Sequence, residues 1–198
     1  MKTLPLALLL TATLHGAILT DKGTPQFPTY NATDFENADD FTFSSAHSIL
    51  AVRFWGESIP NSPISYRIYD NGASGAPGNL LASGGVTPTA SSFASGFVLD
   101  FNLVTPLSLN PGTYYLSLHD GPYGTSSGAG FFWFSSGPGL HFQQTNAIST
   151  PPAEPQTGNE MAFQLFDTQF VPEPGSAWLA AGGVAWILLR RLTKLYTI

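Results

Sequence analysis

The chain has 198 residues and a formal net charge of −6 at pH 7; only 10% of its residues are charged, while 13% are aromatic. The acidic balance argues against a nucleic-acid partner, because phosphate backbones are bound by clustered Lys and Arg. The absence of cysteine excludes disulfides, thiolate metal sites and a cysteine nucleophile. Few charges together with many Gly and Pro residues favour short strands and turns, so we expect an all-β fold.

The first 17 residues have the layout of a secretory signal peptide. Lys2 precedes the apolar run 4–10, and the small residues Gly16 and Ala17 follow it. A basic start, an apolar centre and a small-residue end are typical of such signals. A first buried strand or helix is the alternative interpretation, but the run has no amphipathic period. We therefore predict that residues 1–17 are removed on export.

The middle of the chain is predicted to be one β-domain. Residues 18–38 contain Gly23 and Pro25 and are interpreted as an irregular lead-in. In residues 39–168 strand-like segments recur at intervals of about ten residues between turn dipeptides, a pattern typical of a β-sandwich or barrel. The clearest segment, 97–103, alternates apolar and polar side chains. We predict a single antiparallel β-sandwich of about eight to nine strands.

Individual segments lead to more specific expectations. Residues 39–45 and 47–55 are rich in β-branched and aromatic side chains and are expected to form the first strand pair. The run 131–134 is apolar on both faces, so it should be a central strand or should contact something on its outer face. Residues 73–89 and 137–158 are rich in Gly and Pro or hydroxyl side chains and are expected to be mostly loop, with one short strand around 80–82 in the first of them.

Motifs for catalysis or metal binding are absent from the sequence. It contains no G-x-S-x-G and no H-E-x-x-H, and its histidines are scattered. His119 and Asp120 precede a Gly-Pro turn and are interpreted as a loop pair, so we predict no catalytic residue, no metal site and no cofactor. A structural calcium ion is the exception considered, because four carboxylates lie close together in the sequence. These are Asp34, Glu36, Asp39 and Asp40.

Aromatic side chains suggest an alternative function, the binding of carbohydrate. The candidates for an exposed platform of rings are Trp55, Tyr115, Tyr123 and Trp133. Tyr115 lies opposite the inward face of its strand, so we expect its ring to be at least partly exposed. Packing in the core is the competing interpretation of every one of these rings. Cleavage of a glycoside would also need two facing carboxylates. The candidates are Asp100, Asp120, Glu160 and Asp167.

The end of the chain, residues 169–198, has three segments in a fixed order. In Val171-Pro172-Glu173-Pro174 the two prolines lack an N–H and fix φ, so we expect an extended hinge. An uncharged run follows, and we predict a helix that is apolar on all sides and able to enter a membrane. Its apolar side chains include Trp178, Leu179, Val184, Trp186, Ile187, Leu188 and Leu189. The basic stop, Arg190 and Arg191, should remain on the cytoplasmic side. A buried C-terminal core helix is the alternative.

This tail resembles the PEP-CTERM sorting signal in the order of its Pro-Glu-Pro motif, apolar segment and arginine cluster. The resemblance implies export, recognition by an exosortase, which is a membrane-embedded cysteine-type transpeptidase, cleavage near the motif, and delivery to the cell surface. The phrases at 54–56, 77–82, 111–117 and 161–166 look like the β-sandwich bodies often found ahead of such tails. That second resemblance implies a jelly-roll-like body without assigned catalytic residues.

The sequence therefore predicts a non-enzymatic secreted protein of the cell surface or extracellular matrix, made through a membrane-anchored precursor. Its expected partners are an exosortase, the membrane through the C-terminal helix, and the exopolysaccharide of a biofilm matrix. The alternative is an extracellular carbohydrate-binding domain, or less readily a carbohydrate-cleaving one, delivered by the same signals.

Overall fold

The structure, a computed structural model, is all-β in the part of the chain it describes. The described residues are 17–125, 130–145, 151–152 and 154–170. The prediction of an all-β fold is confirmed. None of these residues belongs to a helix of the length and apolarity needed to cross a membrane. The expected signal peptide up to residue 16 and the sorting segment from residue 171 lie outside the described residues.

The strands form two antiparallel sheets. The larger, sheet A, contains β1 (Ile18–Asp21), β2 (Gln26–Asn31), β4 (His47–Gly56), β7 (Thr89–Phe93), β8 (Gly96–Leu109), β10 (Phe132–Gly137), β13 (Glu160–Met161) and β14 (Phe163–Phe166). The smaller, sheet B, contains β3 (Phe35–Phe43), β5 (Ile64–Asn71), β6 (Pro77–Val86), β9 (Gly112–Asp120), β11 (Leu140–Thr145) and β12 (Glu154–Thr157).

Strand order differs between the two sheets. Sheet B runs β12-β11-β3-β9-β5-β6. In sheet A, β4 is central and pairs with β8 and β14, while β7 continues beyond β8 and β1 beyond β14. β10 pairs with β4, β2 and β13. The described strands therefore make more segments than the eight or nine predicted, because several short strands flank the long ones.

One hydrophobic core joins the sheets into a β-sandwich. Tyr66 of sheet B stacks on Phe101 of sheet A with 5.5 Å between ring centroids. Phe41 of sheet B meets the edge of Phe163 of sheet A at 6.3 Å, and Trp133 is fully buried beside them. Full burial of large apolar side chains stabilises a fold by about 1.5–3 kcal/mol each, so this layer holds the two sheets together.

The first segment, residues 18–38, is not the irregular lead-in that the sequence predicted. β1 pairs with β14, β2 pairs with β10, and β3 begins at Phe35. Gly23 has a φ of 94° and lies with Pro25 in the tight connection between β1 and β2, so these residues mark a turn between two strands. Pro28 fits in β2 because, among the described strands, β2 pairs with β10 alone, and proline is tolerated in a strand that pairs on one side.

The predicted first strand pair is also wrong. β3 lies in sheet B between β9 and β11, whereas β4 lies in sheet A. Residues 44–46 connect the two sheets, so neighbouring strands in the sequence become partners across the core. The order of strands along a chain does not determine whether two consecutive strands pair within one sheet or lie in different sheets.

Two segments expected to be mostly loop contain more strand than predicted. The short strand expected within 73–89 is the ten-residue β6, and β11 and β12 lie within 137–158. Glycine at position 84 has a packing reason, because a Cβ there would lie 2.7 Å from the ring of Tyr66.

The apolar run 131–134 is confirmed as a central strand with both faces covered. Phe131 and Trp133 enter the shared core. Phe134 lies on the outer face beside Trp55, and the ring of Phe27 meets its edge at 5.3 Å. The outer face of sheet A therefore carries a second, smaller apolar cluster.

A partly buried lysine joins the N-terminal strands to the body. The ammonium of Lys22 is 3.1 Å from carboxylate oxygens of both Asp40 and Glu160 and 3.9 Å from Asp39. Asp39 is fully buried and accepts hydrogen bonds from the backbone N–H groups of Asp40 at 2.8 Å and Met161 at 2.5 Å. Burial raises the pKa of Asp39 to about 8, although the positive charge of Lys22 opposes this effect.

Asp39 should make the protein less stable as the pH rises from about 4 to about 8. The pKa of an unfolded Asp is about 3.9, so in this window the folded state binds one proton more than the unfolded state. The free energy of unfolding therefore falls with rising pH. Asp39→Asn should reduce that fall, measured by denaturant unfolding at several pH values. The exposed Asp167→Asn is the control and should keep the unmodified slope, and an unchanged slope in Asp39→Asn would contradict the prediction.

Candidate functional site

The four rings predicted as a carbohydrate platform do not lie together. Trp133 is fully buried in the shared core, and its indole N–H donates to the carbonyl of Ala162 at 2.8 Å. Trp55 is 8% exposed in the outer cluster of sheet A, and Tyr115 is 4% exposed on sheet B. Tyr123 lines a surface depression together with Arg67. An exposed platform of these four rings is therefore not present.

The burial of Tyr115 has a local cause. Its ring lies on the outer face of sheet B, as the alternation predicted, and meets the edge of Phe142 at 5.6 Å. The turn after β5 covers it, because the Tyr115 hydroxyl donates to the carbonyl of Gly75 at 2.7 Å. Alternation identifies the face of a side chain but not the segment that folds over it, so the expected exposure of this ring is wrong.

A polar cluster occupies the outer face of sheet B and is the best candidate for a functional site. We call it the Glu36 cluster, and its members are Glu36 from β3, Arg67 and Tyr69 from β5, Ser117 from β9, and Tyr123 from the loop after β9. Residues two apart share a strand face, which puts Arg67 and Tyr69 together. The β5–β9 register sets Arg67 directly opposite Ser117.

The Glu36 carboxylate is the centre of this cluster. One oxygen, Oε1, accepts hydrogen bonds from the hydroxyls of Tyr69 and Ser117, both at 2.7 Å. The other, Oε2, accepts a charge-assisted hydrogen bond from Arg67 Nη1 at 3.2 Å. Only 1% of the Glu36 side chain is exposed, so the carboxylate obtains its solvation from these three neighbours.

Arg67 connects the buried carboxylate to the surface. Its guanidinium carbon lies 3.6 Å from the centroid of the Tyr123 ring, a cation–π arrangement. The Tyr123 hydroxyl in turn donates to the carbonyl of Ser65 at 3.2 Å. Tyr123 also lies over His119, with 5.2 Å between ring centroids and an angle of 32° between the rings. The arginine is therefore held from below by Glu36 and covered by an aromatic ring.

Burial dominates the acid–base properties of the cluster. It raises the pKa of Glu36, and the hydrogen bonds from Ser117 and Tyr69 and the charge of Arg67 oppose the rise. Burial and the nearby Glu36 charge raise the pKa of Tyr69. Burial also raises the pKa of Tyr123. Both tyrosines therefore stay neutral hydroxyl donors at any physiological pH.

A shallow depression of about 360 Å³ opens beside the cluster. Its lining residues are Ser65, Tyr66, Arg67, Ser83, Gly84, Pro122 and Tyr123. Hydroxyls, one guanidinium and one tyrosine ring are groups that hydrogen-bond and contact sugar hydroxyls or anionic groups. The arrangement suits binding of a polar ligand at the surface, since the carboxylate that would serve as an acid or base is enclosed behind Arg67.

The carboxylates considered for calcium lie in three separate places. The Asp34 carboxylate accepts a hydrogen bond from the Asn31 amide at 2.8 Å. Glu36 binds Arg67, whereas Asp39 and Asp40 lie beside Lys22. Across the described ranges, no set of three or more His, Asp or Glu side chains is arranged to hold a metal ion.

The carboxylates considered for glycoside cleavage also have different neighbours. Asp100 forms two hydrogen bonds with Arg53, at 2.7 and 2.8 Å. Asp120 is fully buried and accepts the backbone N–H of Ser62 at 3.2 Å. Asp120 therefore fixes the connection before β5, while Asp100 belongs to the outer face of sheet A.

The body ends in a specific contact just before the predicted sorting motif. The side-chain amide of Asn102 donates to the carbonyl of Phe170 at 2.9 Å and accepts its N–H at 2.6 Å. Arg53 lies over the rings of Phe166 and Phe170, at 5.7 and 5.5 Å. The motif Val171 to Pro174 and the apolar and basic residues up to Arg191 lie outside the described residues.

The Glu36 cluster was missed from the sequence, although one signal pointed to it. Arg53 and Arg67 are the only Lys or Arg residues between Lys22 and Arg190. A cation on a strand face is expected to lie near an acidic side chain of the same face, and both arginines do. Asp100 is on β8, the strand adjacent to that of Arg53, whereas Glu36 is on β3, which β9 separates from the strand of Arg67. Which carboxylate pairs with which arginine depends on strand order, which the sequence did not reveal.

Comparison of the chain with models of known families, with curated proteins and with solved structures finds no match.

Tyr69→Phe should destabilise the protein by about 1–2 kcal/mol. The substitution removes the hydroxyl that donates to the buried Glu36 carboxylate and leaves that oxygen with one fewer donor. Denaturant unfolding at neutral pH measures the effect. Tyr114→Phe is the matched control, because the Tyr114 hydroxyl donates to the Asn110 carbonyl at an exposed position and its loss should change stability by less than about 0.5 kcal/mol. Equal effects of the two substitutions would contradict the role of Glu36.

Proposed function

We propose that this chain is a non-enzymatic secreted protein of the cell surface or extracellular matrix. Residues 1–17 direct its export, and an exosortase sorts it through Val171-Pro172-Glu173-Pro174. The body is a jelly-roll-like version of the β-sandwich, and the protein contributes to an exopolysaccharide or biofilm matrix. The observation that carries the proposal is the order of the tail: a Pro-Glu-Pro motif, an uncharged apolar run, and Arg190 with Arg191.

Features of the body support a structural role. The two arginines of the body are both in ion pairs, Arg53 with Asp100 and Arg67 with Glu36. Glu36 and Asp39, two buried acids of β3, are also bonded within the fold. These groups stabilise the sandwich, as expected of a protein that must stay folded outside the cell.

The position of Phe170 is compatible with sorting. Asn102 holds both backbone polar groups of Phe170, which directly precedes Val171 in the sequence. The folded body thus extends up to the residue before the motif.

Replacing Pro172, Glu173 and Pro174 by alanine should leave an unprocessed precursor in the inner membrane of an exosortase-containing host. The change removes the extended motif on which recognition depends. Intact mass of the protein from membrane and medium measures the outcome. The control is Glu154→Ala with Pro155→Ala, which removes an exposed Glu-Pro pair from β12 and should leave processing unchanged. Normal processing of the triple variant would refute the sorting assignment.

Carbohydrate binding is a second candidate, and the depression beside Arg67 favours it. The Ser65 and Ser83 hydroxyls, the guanidinium and the Tyr123 ring meet there. This location replaces the platform considered from the sequence, because Trp133 and Tyr115 are buried. A bound polysaccharide would also serve a matrix protein, so the two candidates are compatible.

Ser83→Leu should weaken any polysaccharide binding by roughly tenfold or more, which corresponds to about 1.4 kcal/mol. The exposed Ser83 hydroxyl is lost, and the larger side chain fills the depression. Isothermal titration of the full chain with the exopolysaccharide of its host measures the affinity. Ser91→Leu, an exposed serine on β7, is the control. If the unmodified chain binds no polysaccharide, carbohydrate binding is ruled out and the sorting proposal is unaffected.

A further inference from the structure

One edge of each sheet is built from a stretch of chain without charged residues. Beside β6, the neighbouring β5 contributes Arg67, which lies opposite Ser83, and Asp70, whose carboxylate accepts hydrogen bonds from Asn79. β6 ends sheet B and β7 ends sheet A, and only residues 87–88 separate them in the sequence. No Asp, Glu, Lys, Arg or His occurs in 71–99, between Asp70 and Asp100. Within the described ranges β6 pairs with β5 alone and β7 with β8 alone. Backbone N–H and C=O groups on the outer side of these strands therefore have no strand partner there.

Other edges of the two sheets are protected in the usual ways. Native proteins block an edge with short strands, charges or proline. At the opposite end of sheet B, β12 has four residues and contains Glu154 and Pro155. In sheet A, β1 has four residues and ends at Asp21, and β2 contains Pro28. β6 has ten residues; Pro77 begins it, and two register shifts against β5 put extra residues into its first half. Residues 82–86 pair regularly with β5 and have none of these devices.

The exposed side chains of β6 suit close contact with another strand. Leu80 is 51% exposed and Leu81 is 40% exposed. Ser83 and Gly85 are also exposed, and a Cβ on Gly85 would meet nothing within 4 Å. Small residues allow a second backbone to approach, and the two leucines offer apolar surface that water does not favour.

We propose that β6 is a self-association edge, through which a second copy of this chain adds its own β6 in antiparallel orientation across a two-fold axis. The two copies of sheet B then form one continuous sheet. A two-fold interface must be self-complementary. An antiparallel register centred on Ser83 meets this requirement, because it sets Leu81 opposite Gly85 of the second copy and Leu80 opposite Val86.

Self-complementarity and the lack of charge on the strand favour a second copy as the occupant. The chain carries a net charge of −6, so two copies repel each other. The residues of β6 and β7 add no charge to that repulsion. At about 3.3 Å per residue β6 offers roughly 33 Å of strand, with backbone hydrogen bonds spaced along it. This inference goes beyond the sorting proposal and does not depend on it.

The test uses paired charges on β6. Leu81→Lys with Gly85→Lys sets like charges opposite each other in the proposed register and should give a monomer, and so should Leu81→Glu with Gly85→Glu. A mixture of the lysine and glutamate variants should restore the dimer, because each lysine then faces a glutamate. Analytical ultracentrifugation of the full chain in mild detergent measures the mass of the protein.

The control adds the same two charges elsewhere on sheet B. Thr42→Lys with Thr157→Lys changes two exposed positions away from β6 and should leave the dimer intact. Hydrogen exchange that slows in 79–86 as the protein concentration rises would support the interface. An unmodified chain that is monomeric at every concentration, or a dimer that persists in the Leu81→Lys/Gly85→Lys variant, would overturn the proposal.

Discussion

The structure depends most on one packing constraint: a chain with few charges and no cysteine must hold two sheets together with aromatic rings. Trp133 is central to this layer. Its ring contacts Phe54 and Phe163, and its N–H closes a hydrogen bond to Ala162. The indole therefore joins β10 to the adjacent β4 and to β14 beyond it. Its hydrogen bond also fixes Ala162, the residue that separates β13 from β14. Strand pairing and core packing are coupled at this residue.

Strand β3 carries the second constraint, since it buries an acid on each of its faces. Glu36 points to the outer face of sheet B and Asp39 to the inner side, as alternation requires. Each acid is paired with a cation from a distant part of the chain, Arg67 or Lys22. Burial of either acid away from its cation would be costly, so these contacts connect β3 to β5 and to the turn between β1 and β2, neither of which is adjacent to β3 in sheet B. The same requirement connects the N-terminal strands to the sandwich.

Local patterns predicted part of this arrangement and could not predict the rest. Alternation in 97–103 identified a half-buried strand, and the apolar run 131–134 identified a central strand. Both predictions depend only on residues within the segment itself. The sheet assignment of β3 and the covering of Tyr115 depend on segments far away in sequence. The sequence did not predict the Glu36 cluster for the same reason, because its residues come from three strands and a loop. Nothing in the spacing of Glu36 and Arg67 indicates that they meet.

The point at which the chain leaves the body has a geometric consequence. Asn102 holds Phe170 on the outer face of sheet A, the face opposite to the one that carries the Glu36 cluster. In a sandwich attached through the residues after Phe170, the last residue held by the body would lie on the side of sheet A. Arg67 belongs to sheet B, so the depression beside it would lie on the other side of the sandwich.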